Sequence, residues 1–190
     1  MSADESITSL TRHATQFMAL LEKQWASYSI DQNALKAELP DLRFRMTSAG
    51  DNPLANILRY KGITFDQADV RLHTAAATGI DGHLRMRALN TGRLQLDSLG
   101  LNLLQDTAGV KMKGRVLNYT KRNPHKFDAG IDAYLLQAGA GAELTFRDAA
   151  GEVGVQLGVR GEIQNGGLNI SLYPEHPIIA YRGFTVNKDN

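Results

Sequence analysis

Between Thr91 and Leu172 apolar and polar residues alternate in run after run: Leu94-Gln95-Leu96, Leu99-Gly100-Leu101-Asn102-Leu103, Val110-Lys111-Met112 and Val153-Gly154-Val155-Gln156-Leu157-Gly158-Val159. A period of two sends the leucines and valines to one face of a sheet and the Lys, Arg, Gln and Gly to the other. No catalytic apparatus is visible in this stretch. Function must come from the apolar face or from what the sheet is attached to.

The rest of the chain is arranged around that sheet. Glu5 to Tyr28 reads as a helix, with Ile7, Leu10, Ala14, Phe17, Met18, Leu21, Trp25 and Tyr28 in one stripe at three- and four-residue steps. Asp4 or Ser6 caps it, and Asp4 and Glu5 suit the positive end of its dipole. The expected role of the stripe is packing on the sheet, at ~1.5–3 kcal/mol for each large side chain buried. The alternatives are a lid on an apolar groove or a membrane-surface helix, the latter disfavoured because the polar face mixes Arg12, His13 and Lys23 with Glu22.

Asp31 to Leu39 reads as a short helix, capped by Asp31 and ended by Pro40. Leu42 to Met46 is a first strand. In a further short helix Asn52 caps, Pro53 takes the first helical position and Gly62 closes, with Leu54, Ile57 and Leu58 as its apolar side.

From Ile63 onward everything reads as β. Strands are predicted over 63–74, 79–88, 94–103, 110–118, 127–136, 140–146, 153–159, 168–172 and 178–186. Turns fall at Asn90-Thr91-Gly92, Asp106 to Gly109, Asp148 to Gly151 and Gln164-Asn165-Gly166-Gly167. Lys121 to His125 is a polar loop, and Pro174 and Pro177 interrupt. At Asp97-Ser98 the apolar phase slips by one residue, which predicts a β-bulge. The fold class is thus α+β: a mainly antiparallel β meander with N-terminal helices. Residues 1–62 are expected to form a helical segment with one strand and 63–190 the sheet, together one domain overall.

Composition narrows the function. The 190 residues suffice for a core, and 43% hydrophobic with 22% charged residues is ordinary for a globular chain. A net charge of +1, with basic residues spread singly along strands, argues against a nucleic-acid partner. The absence of cysteine excludes disulfides and Cys-ligated metals without fixing the compartment. No signal peptide and no run of 18 apolar residues is visible. Met1-Ser2-Ala3 reads as a plain cytosolic start or a cloning scar. The end at Thr185 to Asn190, directly after a strand, predicts a piece of a longer protein.

Nothing predicts chemistry. The five histidines, His13, His73, His83, His125 and His176, have no metal-like partner at close spacing. Gly139-Ala140-Gly141 lacks the third glycine and the strand-to-helix context of a dinucleotide site. No serine sits in a nucleophile elbow. Asn118-Tyr119-Thr120 matches a glycosylation sequon, a pattern short enough to arise by chance. The chain is read as not an enzyme and without a cofactor. An enzyme would need acidic residues or histidines converging in a pocket.

Several segments resemble one family. Leu94 to Leu101, Asp106 to Val110 and Arg122 to Phe127 are similar to TamB-like members of the AsmA/repeating β-groove superfamily. So are Asp41 to Phe44, Asp51 to Leu54, Asn165 to Leu168, Pro174 to Pro177 and Phe184 to Asn187. The resemblance runs from about Ser29 and rests on strand pattern and turn residues. It implies a curled, taco-like β-groove within a long periplasmic protein anchored in the inner membrane of Gram-negative bacteria. It further implies intermembrane phospholipid transport, or outer-membrane protein assembly with an outer-membrane TamA/BamA-like partner. The N-terminal helix departs from the pattern and is a possible plug for the groove.

An apolar sheet face that too few helices cover must curl on itself, dimerise or hold an apolar ligand. The candidate residues for phospholipid acyl chains are Leu94, Leu96, Leu99, Leu101, Leu103, Val110, Met112, Val153, Val155, Leu157, Val159, Leu168, Ile170 and Leu172. The competing expectation is a structural or adhesin-like binding module of the cell envelope, in which these residues form a closed core.

Overall fold

A computed structural model describes residues 2–3, 7–121, 123, 125–164 and 167–186. Among the described residues there are three helices: α1 (Ile7–Ala26), α2 (Gln32–Ala37) and α3 (Pro53–Tyr60). The strands are β1 (Ser2–Ala3), β2 (Leu42–Ala49), β3 (Gln67–Ala75), β4 (Gly79–Asn90), β5 (Gln95–Gln105) and β6 (Gly109–Asn118). They continue with β7 (Phe127–Leu136), β8 (Gly139–Arg147), β9 (Val153–Gln164), β10 (Gly167–Ile179) and β11 (Arg182–Gly183). All eleven belong to one antiparallel sheet whose spatial order is the order of the chain. The sheet is not closed: no pairing joins β1 to β11 among the described residues. β2, from the segment before residue 62, pairs with β3 along its whole length.

The register explains why alternation was so persistent. The row Val70–Leu84–Leu101 continues through Gly114 to Ile131, Leu144 and Leu157. The next row runs Ala68–Met86–Leu99–Val116–Ala129–Phe146–Val155. Every member of both rows is apolar or glycine. Cross-strand pairs of this kind are the unit that stabilises a sheet.

The helix caps form as the sequence indicates. Asp31 accepts hydrogen bonds from the Asn33 and Ala34 amides at 2.9 and 3.0 Å. Asn52 accepts from the Ala55 amide at 2.9 Å, with Pro53 following it. Gly62 takes a φ of +76°, the left-handed closing conformation.

Three expectations are corrected. The stripe of α1 is not core: Met18, Trp25 and Tyr28 are exposed, and Phe17 and Leu21 are half-buried. The side chains of Ile7 and Leu10, and Asp4, Glu5 and Ser6, lie outside the described residues. The phase slip at Asp97 is not a register shift, because β4 and β5 keep one register from Asp81↔Leu104 to Asn90↔Gln95. Instead Ala88 takes a φ of +52° beside it, and register shifts fall at Phe146/Arg147 and Tyr173/Ile178. The last strand shrinks to Arg182–Gly183, while β10 runs on through both prolines to Ile179. Gln164 pairs with Gly167 as the hairpin requires, and the turn residues Asn165 and Gly166 lie outside the described set.

The buried apolar residues sit at the two ends of the sheet. Ile30, Leu35 and Leu39 are buried around α2. That segment is tied to one hairpin end, where Gln32 donates to the Leu135 carbonyl and Thr74 to the Pro40 carbonyl. At the opposite end Ala55 of α3, Phe65 and Ala68 form a small core, with Leu58 and Met86 packed on it.

Candidate functional site: an open apolar sheet face

Between those two ends the apolar face lies open. A hollow of about 610 Å³ is lined by Leu84, Leu99, Leu101, Val116, Ala129, Ile131, Leu144, Phe146 and Val155 together with the Gly100, Gly114 and Gly130 backbone. Toward the β10 side the face is more open still: Leu144 is 52% exposed and Ile170 66%. Val159, Leu172 and Ile179 are exposed as well. Contiguous exposed apolar surface of this kind is unusual on a chain that works alone in water.

The sequence-derived candidates divide by register. Leu99, Leu101 and Val155 line the hollow. Leu103 pairs with Met112, and Val110 with Gln105, so these lie on the same face toward the α2 end. Leu157, Val159, Leu168, Ile170 and Leu172 continue it toward β10. Three candidates fall outside. Leu94 precedes β5 and is exposed in the turn. Leu96 is buried and pairs with Leu89 beyond Ala88. Val153 pairs with Arg147 across the bulge, in the polar row. Leu84, Val116, Ile131, Leu144 and Phe146 line the hollow without having been singled out, although each is an apolar member of an alternating run.

The opposite face is polar and its charge is segregated. Arg43, Arg45, Arg71, Arg85, Arg87, Lys111, Lys113 and Arg115 stand on its β2–β6 half against only Asp69 and Asp81. Basic residues that look dispersed along the chain are therefore gathered by folding. Several ion pairs dress this face: Arg71–Asp69 at 3.1 Å, Lys111–Asp106 at 2.7 Å and Lys113–Asp132 at 3.3 Å. Arg115 grips Asp128 with both Nε and Nη2. That grip holds the Asp128 carboxyl below its ordinary value. Exposed pairs of this kind contribute little to stability, because water and salt screen them. On the β7–β10 half, tyrosine rings cover glycines: Tyr134 lies over its cross-strand partner Gly141, and Tyr173 over Gly158.

A polar knot closes the end opposite α2. The Asp97 carboxylate accepts from the Tyr119 amide at 2.6 Å, the Thr120 amide at 2.7 Å and the Thr120 hydroxyl at 2.8 Å. Desolvation pushes the Asp97 carboxyl up, but those three bonds outweigh it and hold the group below its ordinary value. Buried Asn118 accepts from the Asp97 amide and donates to the Gln95 carbonyl. The asparagine of the sequon is thus a structural side chain, engaged at both ends.

Among the described residues no three His, Asp or Glu side chains converge as a metal site would require. No helix among them is long and apolar enough to cross a membrane. Comparison with protein-family models, curated proteins and solved structures finds no match for this chain.

Proposed function

We propose that the chain is a segment of a cell-envelope protein of the TamB type, whose sheet curls into a taco-like groove for phospholipid acyl chains. It would serve intermembrane lipid transport or outer-membrane protein assembly from the periplasm, the parent protein being anchored in the inner membrane. A TamA/BamA-like outer-membrane partner would be engaged through the parent chain. The observation that carries this reading is the apolar face itself, uninterrupted from Val70 to Leu157 and uncovered at its centre. Such a face works by passive contact: acyl chains replace water over it, at ~25 cal/mol per Å² of apolar surface covered. The exposure of Leu144 and Ile170 argues against the closed core that a structural or adhesin-like module would have.

The test is native mass spectrometry of protein purified without detergent, followed by lipid extraction. Retained phospholipid that is lost on substituting Leu101 and Leu157 by asparagine is the expected result. Delipidated protein that never rebinds acyl chains would overturn the reading.

A further inference from the structure

The polar face carries a second hollow, of about 530 Å³, whose centre has no side chain. Arg85 of β4, Gly100 of β5 and Arg115 of β6 lie in one cross-strand row. A Cβ placed on Gly100 would meet nothing within 4 Å. Two arginines therefore flank an empty position, two strand spacings apart, or ~9.6 Å between their backbones. Both side chains are long enough to converge on a ligand seated above the glycine. Ser98 and Asn102 supply polar groups along the strand on either side, and Lys113 lies diagonal to the row.

The charges are not equally engaged. Arg115 is held by Asp128, and Lys113 is paired with Asp132, so the carboxylates of the far wall already have partners. The Arg85 side chain makes no ion pair or hydrogen bond among the described residues. Its cross-strand neighbour Asp69 is taken by Arg71 and Thr47. A free guanidinium two strands from a fixed one can close on a tetrahedral oxyanion, the Arg85 fork presenting parallel N–H donors and Arg115 the Nη1 donors that Asp128 leaves open. The surplus of cations on the surrounding strands raises the local concentration of anions.

We propose that the Arg85–Gly100–Arg115 row is a binding site for a phosphate oxyanion, with Lys113 as a supporting cation. The site lies on the face opposite the apolar hollow and does not rest on the lipid reading. A phosphate can arrive free or as a lipid headgroup, and the two sources share this chemistry.

The test titrates inorganic phosphate, and separately monomeric dihexanoyl phosphatidic acid, while the Gly100 and Gly114 amides are followed by nuclear magnetic resonance. Saturable shifts are expected with at least one probe, and the probe that binds identifies the source. Arg85→Gln should weaken binding at least tenfold. Gly100→Val should do the same by filling the gap, and it should fold normally because a β-branched side chain suits an open strand position. Arg43→Gln, on the same face outside the hollow, should change binding less than twofold. No saturable shift with either probe would overturn the site. Equal weakening by Arg85→Gln and Arg43→Gln, which marks a diffuse field, or unchanged binding in Gly100→Val would overturn it too.

Discussion

The side-chain amide of Gln32 donates to the main-chain carbonyl of Leu135 at 3.0 Å, across 103 positions of sequence. The bond leads from the helix before β2 directly to the end of β7, bypassing the ladder of strands between them. It fastens α2, and with it buried Leu35, to the middle of the sheet's hairpin end. Gln32 Oε1 is buried without a hydrogen-bond partner, so the side chain is kept there by its single donor bond.

Gln32→Ala should therefore cost ~0.5–1.5 kcal/mol, the net value of one hydrogen bond. The more telling readout is local. Hydrogen exchange should quicken at the Leu35 amide while the Leu101 amide, deep in the ladder, keeps its protection. Equal acceleration at both would mean that α2 is not an independent flap.

Leu144→Asp places a carboxylate on the rim of the apolar hollow at a position half open to water. Stability should change by less than ~1 kcal/mol, since exposed sites tolerate such changes. Retention of acyl chains should fall at least tenfold, read as the lipid-bound fraction in native mass spectra. Retention at the starting level would remove Leu144 from the contact surface.

The Asp97 knot predicts acid sensitivity. Its carboxyl is held below the ordinary value of 3.8 in the folded chain. A group depressed by folding contributes stability that is complete above the unfolded value and is lost as pH falls through the folded one. Denaturation midpoints should hold steady at pH 6 and decline below about pH 4. Asp97→Asn should flatten that decline and cost ~1–2 kcal/mol at neutral pH, as charge-assisted bonds are replaced by weaker ones.

Tyr173 covers Gly158 so closely that a methyl group on the glycine would sit 2.5 Å from the ring. Gly158→Ala should displace the ring and cost ~1–3 kcal/mol, the range for overpacking. Arg160 lies 6.0 Å from the same ring. Near-ultraviolet circular dichroism of the tyrosines reports the displacement, and an unchanged spectrum with unchanged stability would count against the paving.

The two faces of the sheet were legible in the sequence because alternation needs only the strand period. Leu99 and Leu101 point one way and Asn102 the other whatever their partners are. The caps at Asp31 and Asn52 were legible for the same local reason. What stayed hidden depends on register. Arg85 and Arg115 look unrelated along the chain, and only the β4–β5–β6 pairing sets them about Gly100. The slip at Asp97 was visible, but its cause lies across the ladder in the φ of Ala88 and in the Asn118 side chain. The stripe of α1 has the pattern of a core helix, yet Trp25 is exposed, because periodicity reports an apolar side and not what covers it.

Among the described residues each strand pairs only with the strands before and after it in sequence. The sheet is therefore built like a ruler, graduated in hairpins. Its length can change by one graduation, two strands, at a time without inverting either face, because a hairpin restores both direction and pleat. Its pairings are also local, so it can zip from any established hairpin and need not wait for distant ends to meet. Evolution could lengthen or shorten the apolar strip by copying hairpins, leaving the chemistry of each remaining graduation as it was.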